Sequence, residues 1–153
     1  MTQMTAEDYI QKLQLMPHPE GGYFKQLFGN DETGKKDIST IYYMLTNQDI
    51  SAFHRLHGMV EIWYHHAGEA LNIYVIDTDG TLHIHCLAPD SEMQVVIQPE
   101  QWFAAEIPGK EGFTLVGCAV APAFTFDNFE LADKAQLLQA YPQHKELIER
   151  MCV

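Results

Sequence analysis

Eight short runs rich in β-branched and aromatic residues follow one another between Ser39 and Val120, and they commit most of the chain to sheet. They are Ser39–Leu45, Ser51–Arg55, Glu61–His66, Leu71–Asp77, Thr81–Leu87, Met93–Gln98, Trp102–Ile107 and Phe113–Val120. Gly, Pro, Asn or Asp bounds each run, and these residues turn a chain rather than extend it. Asp77-Thr78-Asp79-Gly80, between two runs, is a hairpin signal. So many short strands at near-regular spacing predict an all-β sandwich or barrel.

The flanks read differently. Thr5-Ala6-Glu7-Asp8 has the form of a capping box, and Tyr9, Ile10 and Leu13 recur at helical spacing, which predicts a helix over about 5–14. Met16-Pro17-His18-Pro19-Glu20-Gly21-Gly22 breaks that helix, because its prolines and glycines cannot continue it. Tyr23–Phe28 is strand-like, and Asn30–Asp37 is a polar loop. After Pro122 two helices are predicted, Glu130–Ala140 and Pro142–Met151, the second with proline at its first position. There is no repeat, linker or low-complexity tract. The 153 residues read as one domain, with a barrel core over about 22–121 and a helical tail over about 128–151.

A formal charge of -12 argues against a nucleic-acid partner and against an anionic membrane surface, both of which need a basic face. No apolar run approaches the roughly 20 residues of a membrane span. The N-terminus lacks the layout of a signal peptide. Cys86, Cys118 and Cys152 are widely spaced and form no CxxC, so reduced thiols and a cytoplasmic location are expected. Cys86 and Cys118 sit in strand-like runs and read as small buried hydrophobes.

The chemistry concentrates in Ser51–Gly68, which holds four of the eight histidines and one glutamate in a mostly apolar run. Imidazole and carboxylate are the groups that bind metals or move protons near neutral pH. Side chains alternate along a strand. If Glu61 faces the interior, Trp63 and His65 do too, and Ile62 and Tyr64 face out. A carboxylate beside Trp63 in an apolar barrel should have a raised pKa, which suits His54 and Glu61 to an acid–base role. Arg55 is one of nine basic residues and can grip a carboxylate or phosphate with two hydrogen bonds, provided that it points inward. Parity places His54 and Arg55 on opposite faces unless a bulge intervenes. One of the adjacent His65 and His66 points in and the other out. His83 and His85 share a strand face, read as solvated, and His18 reads as a residue that shapes its loop. Aromatic residues, Tyr43, Trp63 and Trp102 among them, divide between core and barrel mouth. No Gly-rich phosphate loop, Ser-His-Asp order or dinucleotide fingerprint is present.

The same stretch resembles the first cupin motif: glycine, five residues, His-x-His, three or four residues, Glu, six residues, Gly. His57, Glu61 and Gly68 match its second half, and the first histidine is displaced to His54, leaving Arg55 in its place. Pro99 keeps the proline of the second motif, whose glycine and histidine are replaced by Gln101 and Ala104. As a whole the chain is similar to the small cupin branch called cupin-5 or DUF985. The resemblance rests on His18–Phe24, Ser39–Tyr43, Phe53–Arg55, Glu61–Trp63, His66–Gly68, Val116–Cys118 and Phe129–Asp133. It implies a jelly-roll barrel with short terminal helices, a pocket in the barrel mouth and a homodimer.

The leading expectation is a small-molecule-binding cupin, a proton-transfer epimerase, isomerase or lyase acting through His54 and Glu61. Its expected substrate is sugar-nucleotide-like or a small acid. Arg55, Trp63, His65, His66, Tyr43, Gln101 and Trp102 are the candidates for substrate contact. No cofactor is required by this reading. A divalent transition metal on His54, His57 and Glu61, serving a dioxygenase or isomerase, is one alternative, and a non-enzymatic ligand-sensing or interaction module is the other.

Overall fold

The structure is a computed structural model and describes residues 3–29 and 37–153, so most of the expected polar loop over 30–37 lies outside the described residues. Helix α1 (Ala6–Leu13) opens on the expected capping box, with Asp8 N–H donating to Thr5 Oγ1 and Thr5 N–H donating to Asp8 Oδ2. Among the described residues, eleven strands follow in two antiparallel sheets. The larger sheet has the order β1 (Met16–Pro17), β2 (Tyr23–Phe28), β3 (Ser39–Thr46), β10 (Phe113–Ala121), β5 (Val60–Gly68), β8 (Gln94–Ile97). The smaller has the order β11 (Phe129–Leu131), β4 (Ile50–Leu56), β9 (Trp102–Glu106), β6 (Leu71–Ile76), β7 (Leu82–Leu87). Helices α2 (Lys134–Ala140) and α3 (Lys145–Met151) close the chain. The expected all-β double-sheet barrel with short terminal helices is what forms.

Alternation along each strand sorts the side chains. Inward-facing Tyr43 and Leu45 of β3, Trp63 of β5, Ile73 and Val75 of β6, Phe103 and Ala105 of β9, and Val116 and Cys118 of β10 fill the space between the sheets. Their neighbours in sequence face outward under the helices. Met44 and Leu115 meet Ile10 and Leu13 of α1, while Phe53, Tyr74, Trp102 and Ala104 meet Leu137, Ile148 and Met151 of the C-terminal helices. Removing a Leu- or Phe-sized side chain from water contributes about 1.5–3 kcal/mol, so two apolar faces per sheet are a large stabilising resource. Glu106 faces the same helices from β9. Tyr74 Oη donates to its carboxylate at 2.6 Å, and Lys110 and Arg150 pair with it, which ties α3 to the sheet.

The tail differs from expectation at its start. Phe129–Leu131 adds a strand to the edge of β4, with Glu130 opposite Arg55, so the first C-terminal helix does not begin at Glu130. Asp133 caps it instead, accepting from Gln136 N–H at 3.0 Å. Among the described residues no helix is long and apolar enough to cross a membrane.

Candidate functional site

The polar centre of the barrel is assembled by a loop, two strands and an edge segment. The Pro17–Gly22 loop turns back over one end of the barrel. Gly21 and Gly22 have φ of +115° and +74°, and a Cβ on either would lie 1.9 Å from Ile50 O or 2.3 Å from Met44 O. Only glycine fits there. This backbone delivers His18 and Glu20, two residues apart, into the cavity beside His54 of β4 and Glu61 of β5. Glu61 is opposite Val120 across the β5–β10 ladder, and Cys118 is opposite Trp63, which puts the Cys118 thiol against the Glu61 carboxyl. Phe24, Phe124, Phe126 and Phe129 form much of the apolar wall. The cavity leaves about 90 Å³ for the centres of water-sized molecules. By that measure a single water needs about 10–15 Å³. A ligand of a handful of heavy atoms fits within the cavity.

Backbone contacts fix the tautomers. His54 Nδ1 lies 2.7 Å from Ala52 O. A carbonyl only accepts, so Nδ1 carries the proton and the neutral ring presents a lone pair at Nε2. Nε2 stands 3.1 Å from Glu20 Oε2, yet it is not aligned as a hydrogen bond, and Oε2 is a buried oxygen with no hydrogen-bond partner among the described residues. His18 has the opposite tautomer. Its Nδ1 accepts from Glu20 N–H at 3.1 Å, which leaves Nε2–H as a donor. One imidazole offers a base and the other an acid.

Burial dominates the electrostatics. It raises Glu20 to about 8, opposed by Ser51. It raises Glu61 to about 8 as well, reinforced by the charge of Glu20 and opposed by contacts with Cys118 and Trp63. It lowers His54 to about 4 against the pull of the Ala52 carbonyl. His18 falls to about 4 through burial and the neighbouring His54. Burial, with Glu61 and Glu20 beside it, also pushes the Cys118 thiol well above its ordinary range. Near neutral pH the carboxyls therefore hold protons and the imidazoles do not, an inversion that follows from the low dielectric.

Of the residues singled out from sequence, His54 and Glu61 line this cavity. Trp63 and Tyr43 are buried behind it, packed edge to face at 5.7 Å, with Tyr43 Oη donating to Gly21 O at 2.6 Å. The other candidates lie elsewhere. Arg55 faces away from His54, as parity requires, stacking on Trp102 at 4.3 Å and donating to Glu130 at 3.0 Å. Gln101 sits in the turn before β9, accepting from Gln98 N–H and donating to Asp77. His65 keeps the inward parity of Glu61, but four residues at about 3.3 Å each carry it along the strand to the far end, where its Nε2 meets Glu69 O at 3.0 Å. His66 lies against Tyr42 on the outer face, next to a register shift between Leu115 and Val116. His57 occupies the turn between β4 and β5, outside the cavity, with Nδ1 2.6 Å from Glu100 and Nε2 2.7 Å from Glu130.

These positions bear directly on the metal set. His54, His57 and Glu61 do not converge, because the turn swings His57 out to the two surface glutamates. Ala104 is not the vacated ligand position either. It faces the C-terminal helices, and the inward residue beside His54 is Phe103, with ring centroids 4.1 Å apart. Among the described residues no group of three or more His, Cys, Asp or Glu side chains is placed to hold an ion. The residues present do not fit a cupin metal centre.

Sequence reasoning missed Glu20, the acidic member of the central pair. The signal was there: His18 and Glu20 alternate with prolines and precede two glycines, a segment whose shape is fixed and whose two polar side chains share a side. It also missed Phe124, Phe126 and Phe129, which precede or lie within a strand that was read as helix.

A double-sheet antiparallel barrel with a polar cavity at one end defines a cupin. This chain belongs to the DUF985 branch of that superfamily, whose family model, described as Cupin superfamily (DUF985), matches residues 7–132. Protein SO0799 from Shewanella oneidensis superposes with a TM-score of 0.92 at 35% identity, covering 99% of each chain. A hypothetical protein from Leishmania major gives 0.86 at 31% identity, covering 97% of this chain and 99% of the other. Oxalate decarboxylase from Bacillus subtilis shares the fold at a TM-score of 0.61 and 14% identity, over 88% of this chain and 36% of that one. The comparison with curated proteins gives no match.

Proposed function

We propose that this cupin binds a compact small molecule in the Glu20–His54–Glu61 cavity and moves protons on it, as an epimerase, isomerase or lyase does. The observation that carries the reading is the approach of His54 Nε2 to Glu20 Oε2, 3.1 Å apart and both buried. A small rotation that aligns the two groups lets one proton serve both. Glu20 holds it in the free protein, and a bound ligand that changes the local polarity redistributes it. Glu61 is the second carboxyl within reach of the cavity, and His18 Nε2–H is a fixed donor to a ligand oxygen. With acids near pKa 8 and bases near 4, the site starts protonated on its carboxyls. Abstraction from carbon therefore requires the ligand to draw a proton off Glu20 or Glu61 first. The cavity's size supports small substrates over the sugar-nucleotide-like class, and Arg55, the expected anion grip, lies outside it. We extend the reading to a homodimer, on the family resemblance, in a cytoplasmic setting.

The test is solvent exchange. Wild-type protein in deuterated water is offered a panel of small hydroxy- and amino-carbonyl compounds, and proton NMR follows loss of the C–H signal next to the carbonyl. Glu20→Gln and Glu61→Gln should each slow exchange about 100-fold or more, the scale of general acid–base catalysis. Binding with exchange untouched by both substitutions would remove the proton-transfer role and leave a ligand-binding module.

A further inference from the structure

Resting on the reading of this cavity as a small-molecule site, the chemistry of its walls narrows the ligand class. Once Glu20 and Glu61 ionise, the cavity offers two carboxylates and His54 Nε2 as acceptors, beside the His18 Nε2–H donor and the polar side chains of Ser39 and Gln26. Glu20 lines the cavity, and its Oε2 is a buried oxygen of a side chain only 8% exposed, unpartnered by hydrogen bond among the described residues. Glu61 adds a second carboxyl, and the charge of an ionised Glu20 disfavours its ionisation. His54 Nε2 adds a lone pair fixed by the Ala52 carbonyl. The same cavity is lined by Phe124, Phe126 and Phe129, set edge to face with centroids 5.0, 5.9 and 6.1 Å apart, and by Phe24, packed on His18 at 4.6 Å. Among the described residues no Lys or Arg side chain lines the cavity. The whole chain carries a formal charge of -12, a field that concentrates cations.

We propose that this cavity takes a small organic cation, an alkylammonium of a few carbons, with its charge against the carboxyls of Glu20 and Glu61 and its alkyl groups against the phenyl rings. A cation compensates the carboxyl charge once the pair ionises, without the proton uptake that otherwise keeps the pair neutral. Aromatic rings are the apolar surface that a desolvated ammonium tolerates best, because their faces carry partial negative charge. At the pH where the acids ionise, an anion would meet two carboxylates and a fixed lone pair, with the His18 Nε2–H as a donor. A neutral ligand would satisfy the rings but leave the carboxyl pair uncompensated.

Three isosteric probes separate these cases on the full-length protein at about pH 8, where the carboxyls begin to ionise. They are choline, the neutral 3,3-dimethylbutanol and the anionic 3,3-dimethylbutyrate, each titrated by calorimetry and by NMR. Choline should bind about tenfold tighter than the alcohol, and the acid weakest of all. Glu61→Gln should erase the preference for choline over the alcohol. Should that variant fold poorly, Phe126→Leu serves in its place, since Phe126 is 62% exposed and its loss leaves the core intact. It should weaken choline about threefold and leave the alcohol unchanged. Equal or tighter binding of the alcohol or the acid overturns the cation assignment while leaving a small-molecule site standing. No binding of any probe overturns it too, and the exchange panel then decides separately whether the cavity acts on other compounds.

Discussion

Gly21 sets the geometry of the site more than any catalytic-looking residue does. Its φ of +115° and the 1.9 Å approach of a would-be Cβ to Ile50 O leave no room for alanine. Gly58 is the control, because its φ is +72° and nothing lies within 4 Å of the same position. Gly58→Ala should cost only the left-handed backbone strain, about 1–2 kcal/mol. Gly21→Ala should cost more than that, because main-chain displacement adds to strain of about 1–3 kcal/mol. Urea midpoints check both, and equal losses would mean that the loop yields freely. At this scale the sequence was readable where a period governed it. Parity along one strand put Glu61 and Trp63 inside, and parity along another put His54 opposite Arg55. Glu20 was unreadable by that rule, since it enters the cavity from a loop with no period.

The element that closes the cavity is the Phe124–Leu131 segment, and His57 fastens it. His57 N–H donates to Asn128 O at 2.8 Å, Asn128 Nδ2 donates to His57 O at 3.0 Å, and the ring bridges Glu100 and Glu130. Carboxylates on both ring nitrogens need both protons, so the bridge belongs to the imidazolium. The hydrogen bonds from His57 to Glu100 and Glu130 raise its pKa. A histidine raised in the folded state contributes most below its ordinary pKa of 6.5 and loses that contribution as pH climbs through the higher folded value. Hydrogen exchange at the Asn128 and Phe129 amides should therefore accelerate, beyond its intrinsic pH dependence, as pH rises through that higher folded value. His57→Ala should show the faster exchange at every pH. Unchanged protection in that variant would mean that β11 is held by its ladder to β4 alone. Sequence read Glu130 as the start of a helix because apolar residues at helical spacing follow it. The edge of β4 won, since it offers unpaired backbone groups and an arginine opposite Glu130.

For the molecule as a whole, the inverted acids and bases predict an unusual stability profile. Glu20 and Glu61 titrate near 8 when folded against an ordinary 4.5, so the native state holds more protons and stability falls between those values. His18 and His54 titrate near 4 against 6.5, so the unfolded state holds more protons and stability rises between those. From about pH 4.5 to 6.5 the two pairs oppose each other and their combined contribution is flat; above 6.5 the carboxyls act, joined by the loss of the His57 contribution, and stability drops toward pH 8. The limiting slope is about 1.4 kcal/mol per pH unit for each carboxyl. The fold that produces this profile was legible from the succession of short strands, because two apolar faces joined by tight turns have few ways to close. The burial of four ionisable groups at one end was not, since it depends on which loop covers the barrel. Urea unfolding at pH 6.5 and at pH 8 measures the drop, and Glu61→Gln, which cannot ionise, should recover part of it. If the wild type is as stable at the higher pH, or the variant falls as steeply, then these carboxyls are not held protonated in the native barrel, and a neutral-acid resting state for the site is lost with them.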